Sequence, residues 1–141
     1  MSAFQEIDLF ATFAPTEAQQ ELLSKLREEP TEENLWQCII AFQNAIFFTS
    51  SGLPFSYSLK RGRRGEYTKE LFIDRRENSK SLAWSSVRMA FRKAMEQKGT
   101  VFARPKEIAD VRGVSYSYSL LWRFGLIDVP EAVAAKLRGG L

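Results

Sequence analysis

The sequence predicts an α+β fold: a mainly helical single domain in which a β-hairpin packs on a helical core. Apolar residues recur at helical spacing before residue 50 and again after residue 79. Between residues 55 and 60 apolar and polar residues alternate instead, as in a strand with one buried face. The chain has 141 residues, 45% of them hydrophobic, which is enough for one sizeable core. Because an isolated hairpin is marginally stable in water, we expect it to lie on the helices.

The first predicted helix spans residues 16–28. Thr16 and Gln19 have the spacing of a capping box, in which each side chain bonds to the backbone N–H of the other residue. Its apolar stripe consists of Leu22, Leu23 and Leu26. Pro30 is expected to end this helix, because proline cannot continue the hydrogen-bond ladder.

A second helix is predicted from Thr31 to about Thr49. Its apolar residues follow the helical period and are flanked by further apolar positions: Leu35, Ile39, Phe42 and Ile46. A helix that is apolar around most of its circumference is buried, so we expect this one at the centre of the core. Cys38 lies inside it and is predicted to be a buried structural thiol.

The next elements are predicted from the period of the apolar residues, which changes from that of a helix to that of a strand. Two strands, at 55–60 and 67–74, are predicted to form a hairpin around a loop with two glycines. Helices are predicted at 79–97, 105–112, 115–124 and 130–137. The domain is thus expected to consist of an acidic helical hairpin at 1–52, a β-hairpin at 53–75 and a helical portion at 79–138.

Composition argues against several function classes. The chain has no histidine and one cysteine, so we expect no metal site, no cofactor and no disulfide within the chain. No nucleophile elbow, phosphate-binding glycine loop or paired-carboxylate motif is present, and no enzymatic activity is expected. The first ten residues lack the pattern of a signal peptide, and no apolar stretch is long enough to span a bilayer. We therefore expect a cytoplasmic protein without a membrane partner.

Charge is unevenly distributed along the chain. Residues 1–59 carry eight acidic and two basic residues, whereas residues 60–98 carry twelve basic and five acidic residues. Such asymmetry indicates a polyanionic partner, either nucleic acid or an acidic protein. The alternative is that the acidic and basic parts face each other or the solvent.

The loop between the two predicted strands is the first candidate binding surface. In this loop Arg63 and Arg64 lie between two glycines, and Arg61 precedes the first of them. Glycine allows close approach to another backbone, and arginine pairs with phosphate through two parallel hydrogen bonds. A solvated turn that keeps a strand edge from aggregating is the alternative.

The second candidate surface lies on the long helix. Trp84, Arg88 and Arg92 are spaced four residues apart, with Lys93 beside them, and Arg75 and Arg76 come just before the helix. This pattern is typical of phosphate contacts combined with stacking on a base or sugar. The alternative is a tryptophan in the core whose arginine neighbours reach out to the solvent.

Residues 106–127 resemble the helix-turn-helix and winged-helix families of DNA-binding proteins. The resemblance lies in Glu-Ile-Ala at 107–109, Gly113 four residues after the alanine, and Val-Ser at 114–115. It implies that Gly113 makes the turn between two helices and that the helix at 116–124 enters the major groove. Tyr116 and Ser117 would then contact base edges.

Two positions depart from the family pattern, because Arg112 and Ser119 stand where the family has apolar residues. The alternative for this segment is a helical corner packed on the long helix. Arg-Phe-Gly-Leu-Ile at 123–127 is similar to the end of a winged-helix recognition helix. The stretch from the hairpin through Ile127 also resembles small bacterial proteins, a resemblance that implies no function.

The first hypothesis is therefore a bacterial protein that binds nucleic acid, a class that includes regulatory proteins. The second hypothesis is a module that binds an acidic protein through the same basic surface. A third, an enzyme, has little support because candidate acids and bases do not converge along the sequence.

Overall fold

The computed structural model describes residues 14–74 and 80–139, which form five α-helices and one four-stranded antiparallel sheet. The helices are α1 (Glu17–Glu28), α2 (Glu32–Ala41), α3 (Trp84–Glu96), α4 (Val114–Arg123) and α5 (Glu131–Leu137). The strands are β1 (Phe47–Phe48), β2 (Pro54–Arg61), β3 (Tyr67–Asp74) and β4 (Lys80–Ala83), neighbours in that order. The predicted α+β class is confirmed.

Side-chain caps fix the starts of the first two helices. Thr16 Oγ1 accepts a hydrogen bond from the Gln19 N–H at 3.1 Å, and the Thr16 N–H donates to Gln19 Oε1 at 2.8 Å. Thr31 Oγ1 accepts from the Asn34 N–H at 3.2 Å and caps α2 in the same way. These bonds satisfy backbone donors that have no partner within the helix, which confirms both predicted helix starts.

The prediction that the second helix runs to Thr49 is wrong. The helix ends at Ala41, with Phe42 as its C-cap, and Asn44 has a φ of 68°. Asparagine tolerates this left-handed conformation better than most residues, and it turns the chain into β1. Phe47 is buried in that strand, so the apolar pattern continues although the helix has stopped.

The long helix also begins later than predicted, because residues 80–83 form an edge strand. Leu82 of β4 lies opposite Leu71 of β3, and α3 begins at Trp84. Ala83, predicted on the buried stripe of the helix, is exposed in the strand. The other predicted stripe residues are buried: Val87, Ala90, Phe91 and Ala94.

The sheet has one buried and one solvent-facing side. The inner face, which contributes to the core, consists of Phe55, Tyr57, Leu59, Leu71, Ile73 and Leu82. Alternate residues of the same strands form what we call the outer face: Ser56, Ser58, Lys60, Glu70, Phe72, Asp74, Ser81 and Ala83. Each of these outer residues is at least partly exposed where its side chain is described. Within the described residues, the helices thus cover one side of the sheet only.

The central buried helix is α4 rather than α2. Seven of its ten residues are buried: Val114, Tyr116, Ser117, Tyr118, Ser119, Leu120 and Leu121. The Ser119 hydroxyl donates to the Phe48 carbonyl at 2.8 Å and ties the helix to β1. Ile39 and Phe42 of the earlier segment are buried as predicted.

The C-terminal end of α4 is held by residues from distant parts of the chain. Arg27 Nε donates to the Phe124 carbonyl at 3.1 Å, although the two residues are 97 positions apart. The Phe124 ring lies with its centroid 5.2 Å from that of Phe42 and 6.4 Å from that of Phe47. A cation at a helix C-terminus is favourable because the last carbonyls lack partners within the helix.

The helix predicted over residues 105–112 is only a 3₁₀ turn, Pro105–Glu107. Glu107 Oε1 accepts a hydrogen bond from the Ala103 N–H at 2.9 Å and holds this turn. Gly113 then starts α4 with a φ of 69°. The segment that resembles a helix-turn-helix therefore has a left-handed glycine at its turn but one short turn in place of its first helix.

Cys38 is buried, and its thiol donates to the Leu22 carbonyl at 3.4 Å. Burial raises the pKa of the thiol to about 11, so little reactive thiolate forms near neutral pH. We expect Cys38→Ala to cost about 1 kcal/mol of stability, as a small buried deletion. We also expect a thiol reagent to modify the native protein far more slowly than the protein in denaturant. Equal rates in the two states would show that the thiol is accessible.

No helix within residues 14–74 and 80–139 combines the length and the apolar character needed to cross a lipid bilayer.

Candidate nucleic-acid interface

A tight turn closes the β2–β3 hairpin and fixes the position of its arginines. The Gly62 N–H donates to the Glu66 carbonyl at 2.7 Å, and the Gly65 N–H donates to the Gly62 carbonyl at 3.0 Å. Gly65 has a φ of 82°, a conformation that glycine adopts without steric cost. We call residues 62–66 the hairpin tip.

Arg61 stabilises the tip rather than projecting from it. Its guanidinium lies 4.3 Å from the centroid of the Tyr67 ring. It also donates to the Gly65 carbonyl at 2.6 Å and to the Tyr67 hydroxyl at 2.9 Å. Two of the five N–H donors of this predicted phosphate ligand are therefore directed at the hairpin itself.

Arg63 and Arg64 occupy the tip in a different way, because both side chains are exposed. Within the described part of the chain, neither guanidinium forms a hydrogen bond or an ion pair. Both sit on a turn whose backbone is held by hydrogen bonds at 62, 65 and 66. These two exposed guanidiniums thus stand on a turn held by its own hydrogen bonds, and a guanidinium can pair with a phosphate through two parallel hydrogen bonds.

The alternative role for these arginines, protection of a strand edge, has weak support. β1 pairs with the start of β2 through Phe47 and Phe55. Further along β2, the Asn44 N–H donates to the Tyr57 carbonyl at 2.8 Å. Gln43 Oε1 accepts from the Leu59 N–H at 2.9 Å. The edge of β2 is therefore already occupied between residues 55 and 59. Charge at the tip is not needed to prevent this edge from pairing with another chain.

The tryptophan of the second candidate surface packs inside the molecule. The Trp84 ring is half-buried, with its centroid 5.0 Å from that of Trp36 on α2. Lys69 Nζ lies 3.8 Å from the centroid of Trp36 and 5.9 Å from that of Trp84. This arrangement agrees with the alternative of a packed tryptophan, and Trp84 is not an open stacking platform.

Arg88 and Arg92 face an acidic residue of the same chain. Arg92 Nε lies 2.6 Å from Glu32 Oε2, and Arg88 Nε lies 3.8 Å from Glu32 Oε1. The side chains of Arg88 and Arg92 are 41% and 55% exposed, so each bridge contributes little stability. Lys93, the next residue, is exposed. At this place the acidic and basic parts of the chain face each other, which agrees with the alternative explanation of the uneven charge distribution.

The residues predicted to contact base edges lie in the core, so that prediction is wrong for this conformation. Ser117 is fully buried, and Tyr116 is 7% exposed with its ring packed edge-on to Phe55 at 5.0 Å. In the helix that carries them, α4, seven of the ten residues are buried and only Ser115, Trp122 and Arg123 are partly exposed. Arg75 and Arg76 lie outside the described residues.

Two neighbouring side chains of the outer face were not selected from the sequence. Lys60 Nζ lies 4.2 Å from the centroid of the Phe72 ring, so the charge extends from the tip onto the outer face. Ser58 is exposed opposite Phe72 on the adjacent strand. The alternation of Ser58 and Lys60 with apolar residues places both on the outer face of a strand, and this signal was available in the sequence.

Comparison of the chain with protein-family models, with curated proteins and with solved structures found no match. The resemblance to helix-turn-helix proteins therefore stays a prediction. Among the described residues, no group of three or more histidine, cysteine, aspartate or glutamate side chains is arranged to hold a metal ion.

Proposed function

We propose that this chain is a cytoplasmic protein that binds nucleic acid through the tip of the β2–β3 hairpin. The observation that carries the proposal is the pair of exposed guanidiniums on Arg63 and Arg64, held on a hydrogen-bonded turn. Lys60 extends the positive charge from this tip along β2. We leave Arg88 and Arg92 out of this interface, because Glu32 already neutralises part of their charge.

Two properties of the hairpin tip favour a phosphate partner: its positive charge and the hydrogen bonds that hold its backbone. Phosphate contacts supply most of the affinity of non-specific nucleic-acid binding. A planar guanidinium suits the paired oxygens of a phosphate better than an ammonium does. Because the turn is held by its own hydrogen bonds, binding orders two side chains and little backbone, which lowers the entropic cost.

The test is fluorescence anisotropy with labelled oligonucleotides across a salt series. We expect Arg63→Gln with Arg64→Gln to weaken binding and to reduce the slope of log affinity against log salt by about 1.8 on duplex DNA. This value corresponds to about 0.9 for each phosphate contact that is lost. Unchanged thermal unfolding of this double variant would show that the loss comes from contacts, since both side chains are exposed.

The matched control is Lys25→Gln with Lys98→Gln. It removes the same charge from two exposed residues outside the hairpin. Equal effects of the two double variants would show that net charge, rather than the tip, determines binding. Absence of binding at low salt to both single-stranded and duplex forms would overturn the proposal and favour an acidic protein partner.

A further inference from the structure

A cavity of about 660 Å³ lies between the 3₁₀ turn Pro105–Glu107 and the first turn of α4. Ser50, in the loop that follows β1, also lines it, so three separate segments of the chain form its walls. Its volume falls within the range of about 300–1,000 Å³ that is usual for small-molecule sites. We propose that this cavity binds a small organic phosphate, in which a phosphate group is attached to an apolar or aromatic body.

One wall of the cavity is positively charged, because Arg104 and Lys106 line it on either side of Pro105. Lys106 is exposed and forms no ion pair or hydrogen bond within residues 14–74 and 80–139. Arg104 Nε lies 3.5 Å from Glu107 Oε2, but the Arg104 side chain is 81% exposed, so this bridge holds it weakly. Carboxylates are absent from the described lining residues, and the charge at the cavity therefore favours an anion.

Short polar groups add hydrogen-bond donors to this wall. Ser50 and Ser115 both line the cavity and are partly buried. Neither hydroxyl forms a hydrogen bond in the described part of the chain, and the Ser115 N–H donates none there. A phosphate monoester has three oxygens that accept strong hydrogen bonds, whereas a carboxylate has two. The number of available donors therefore favours a phosphate.

The apolar part of the lining indicates that the ligand is larger than an inorganic ion. Val111 and Val114 line the cavity beside the charged wall, and Val114 is already 7% exposed only. An inorganic phosphate would leave this apolar surface in contact with water, whereas a ring or short hydrocarbon body would cover it. Covering apolar surface is favourable in proportion to its area. We therefore assign the apolar body to the two valines and the phosphate to the wall of Arg104 and Lys106.

The cavity is separate from the hairpin tip, so this proposal goes beyond the proposed function and does not depend on it. Ser50 precedes β2, and the Thr49 N–H donates to the Leu53 carbonyl at 2.9 Å just before that strand begins. The tip follows β2, whose eight residues correspond to about 26 Å at roughly 3.3 Å per residue. A small molecule in the cavity therefore does not reach Arg63 or Arg64.

The first test is titration of the isotope-labelled protein with three probes, followed by two-dimensional NMR of the backbone amides. The probes are phenyl phosphate, inorganic phosphate and benzoate. We expect phenyl phosphate to shift the amide signals of Lys106, Gly113 and Ser115, which line the cavity. It should bind about tenfold more tightly than inorganic phosphate, because it also covers the apolar wall. It should bind more tightly than benzoate, whose carboxylate has fewer acceptor oxygens.

A double variant tests the charged wall. Arg104→Gln with Lys106→Gln should weaken the binding of phenyl phosphate about tenfold, because it removes both cations. The matched control, Lys25→Gln with Lys98→Gln, removes the same charge from exposed residues that do not line the cavity. It should have a much smaller effect. Both side chains of the cavity variant are exposed, so its thermal unfolding should be unchanged.

A single variant tests the apolar wall. Val111→Ser should reduce the advantage of phenyl phosphate over inorganic phosphate and leave the affinity for inorganic phosphate unchanged, because the lost group faces the body of the ligand. Circular dichroism checks that this variant is folded. The three-probe titration and the charge variant remain decisive if Val111→Ser unfolds.

Several results would overturn the proposal. One is a titration in which phenyl phosphate shifts none of the cavity amides, or in which inorganic phosphate or benzoate binds as tightly. Another is a cavity charge variant that weakens binding no more than its control does. A loss of phenyl phosphate binding in the Arg63 and Arg64 variant would place the ligand at the tip instead. None of these results affects the proposed function, which depends on different residues and is tested with oligonucleotides.

Discussion

Replacing Phe42 with alanine is expected to lower the free energy of unfolding by about 3–5 kcal/mol. Phe42 is 2% exposed, and its ring centroid lies 5.2 Å from that of Phe124. Removal of the ring loses its burial and leaves a cavity where α2 meets the end of α4. A loss of this size is a large fraction of the total stability of a small domain. Urea unfolding followed by circular dichroism measures it.

The matched control is Phe72→Ala, because Phe72 is a half-exposed phenylalanine on the outer face. Its loss removes the contact with Lys60 and a modest buried area, so we expect about 1 kcal/mol. Similar losses at the two positions would mean that Phe42 does not belong to the tightly packed core. A changed dependence on urea would instead indicate an altered unfolded state.

Gly113→Ala is expected to cost about 2–5 kcal/mol, from two separate causes. Gly113 has a φ of 69°, and a non-glycine residue in the left-handed region costs roughly 1–2 kcal/mol. A Cβ at this position would also lie 2.5 Å from Leu82 Cδ1. Because Leu82 is buried between the sheet and α4, relief of this overlap requires repacking at about 1–3 kcal/mol.

Two further variants separate these causes. Gly65 has a φ of 82°, and no described atom lies within 4 Å of a Cβ built there. Gly65→Ala should therefore cost only the backbone part, about 1–2 kcal/mol. In a Leu82→Ala background, Gly113→Ala should cost little more than Gly65→Ala does. If the two glycine substitutions were equally costly in the unmodified protein, contact with Leu82 would contribute nothing.

The secondary structure could be predicted where a local signal, such as a side-chain cap, marks the boundary of an element. It could not be predicted where apolar residues continue past the end of a helix. Thr16 and Thr31 mark their helix starts with side-chain caps, and both starts were correct. The sequence does not indicate the end of α2, because Ile46 and Phe47 extend the apolar run although they belong to a loop and a strand. A four-residue edge strand such as β4 is too short for its period to be distinguished from a first helical turn.

The candidate site was predictable only in part, because exposure depends on contacts distant in sequence. The glycine-flanked arginines at 63 and 64 lie on an exposed turn, as their local pattern indicates. Arg92 bonds to Glu32, which lies 60 residues earlier, and no local pattern shows this pairing. The burial of Tyr116 likewise results from packing on Phe55. A polar Ser-Tyr-Ser-Tyr-Ser run gives no sign that its helix lies at the centre of the core.

The contacts of Phe124 bear on the order in which this protein can fold while it is synthesised. The ribosome releases α1 and α2 long before it reaches residue 124, whose ring packs on Phe42 and whose carbonyl binds Arg27. Until then Phe42 and Phe47 lack a partner that the folded protein supplies, and exposed apolar side chains attract other chains and chaperones. A nascent chain interrupted before α4 would therefore be prone to aggregate and would not form a stable smaller domain. Completion of the core waits for α4 and Phe124, and contacts over such long sequence separations make folding slow.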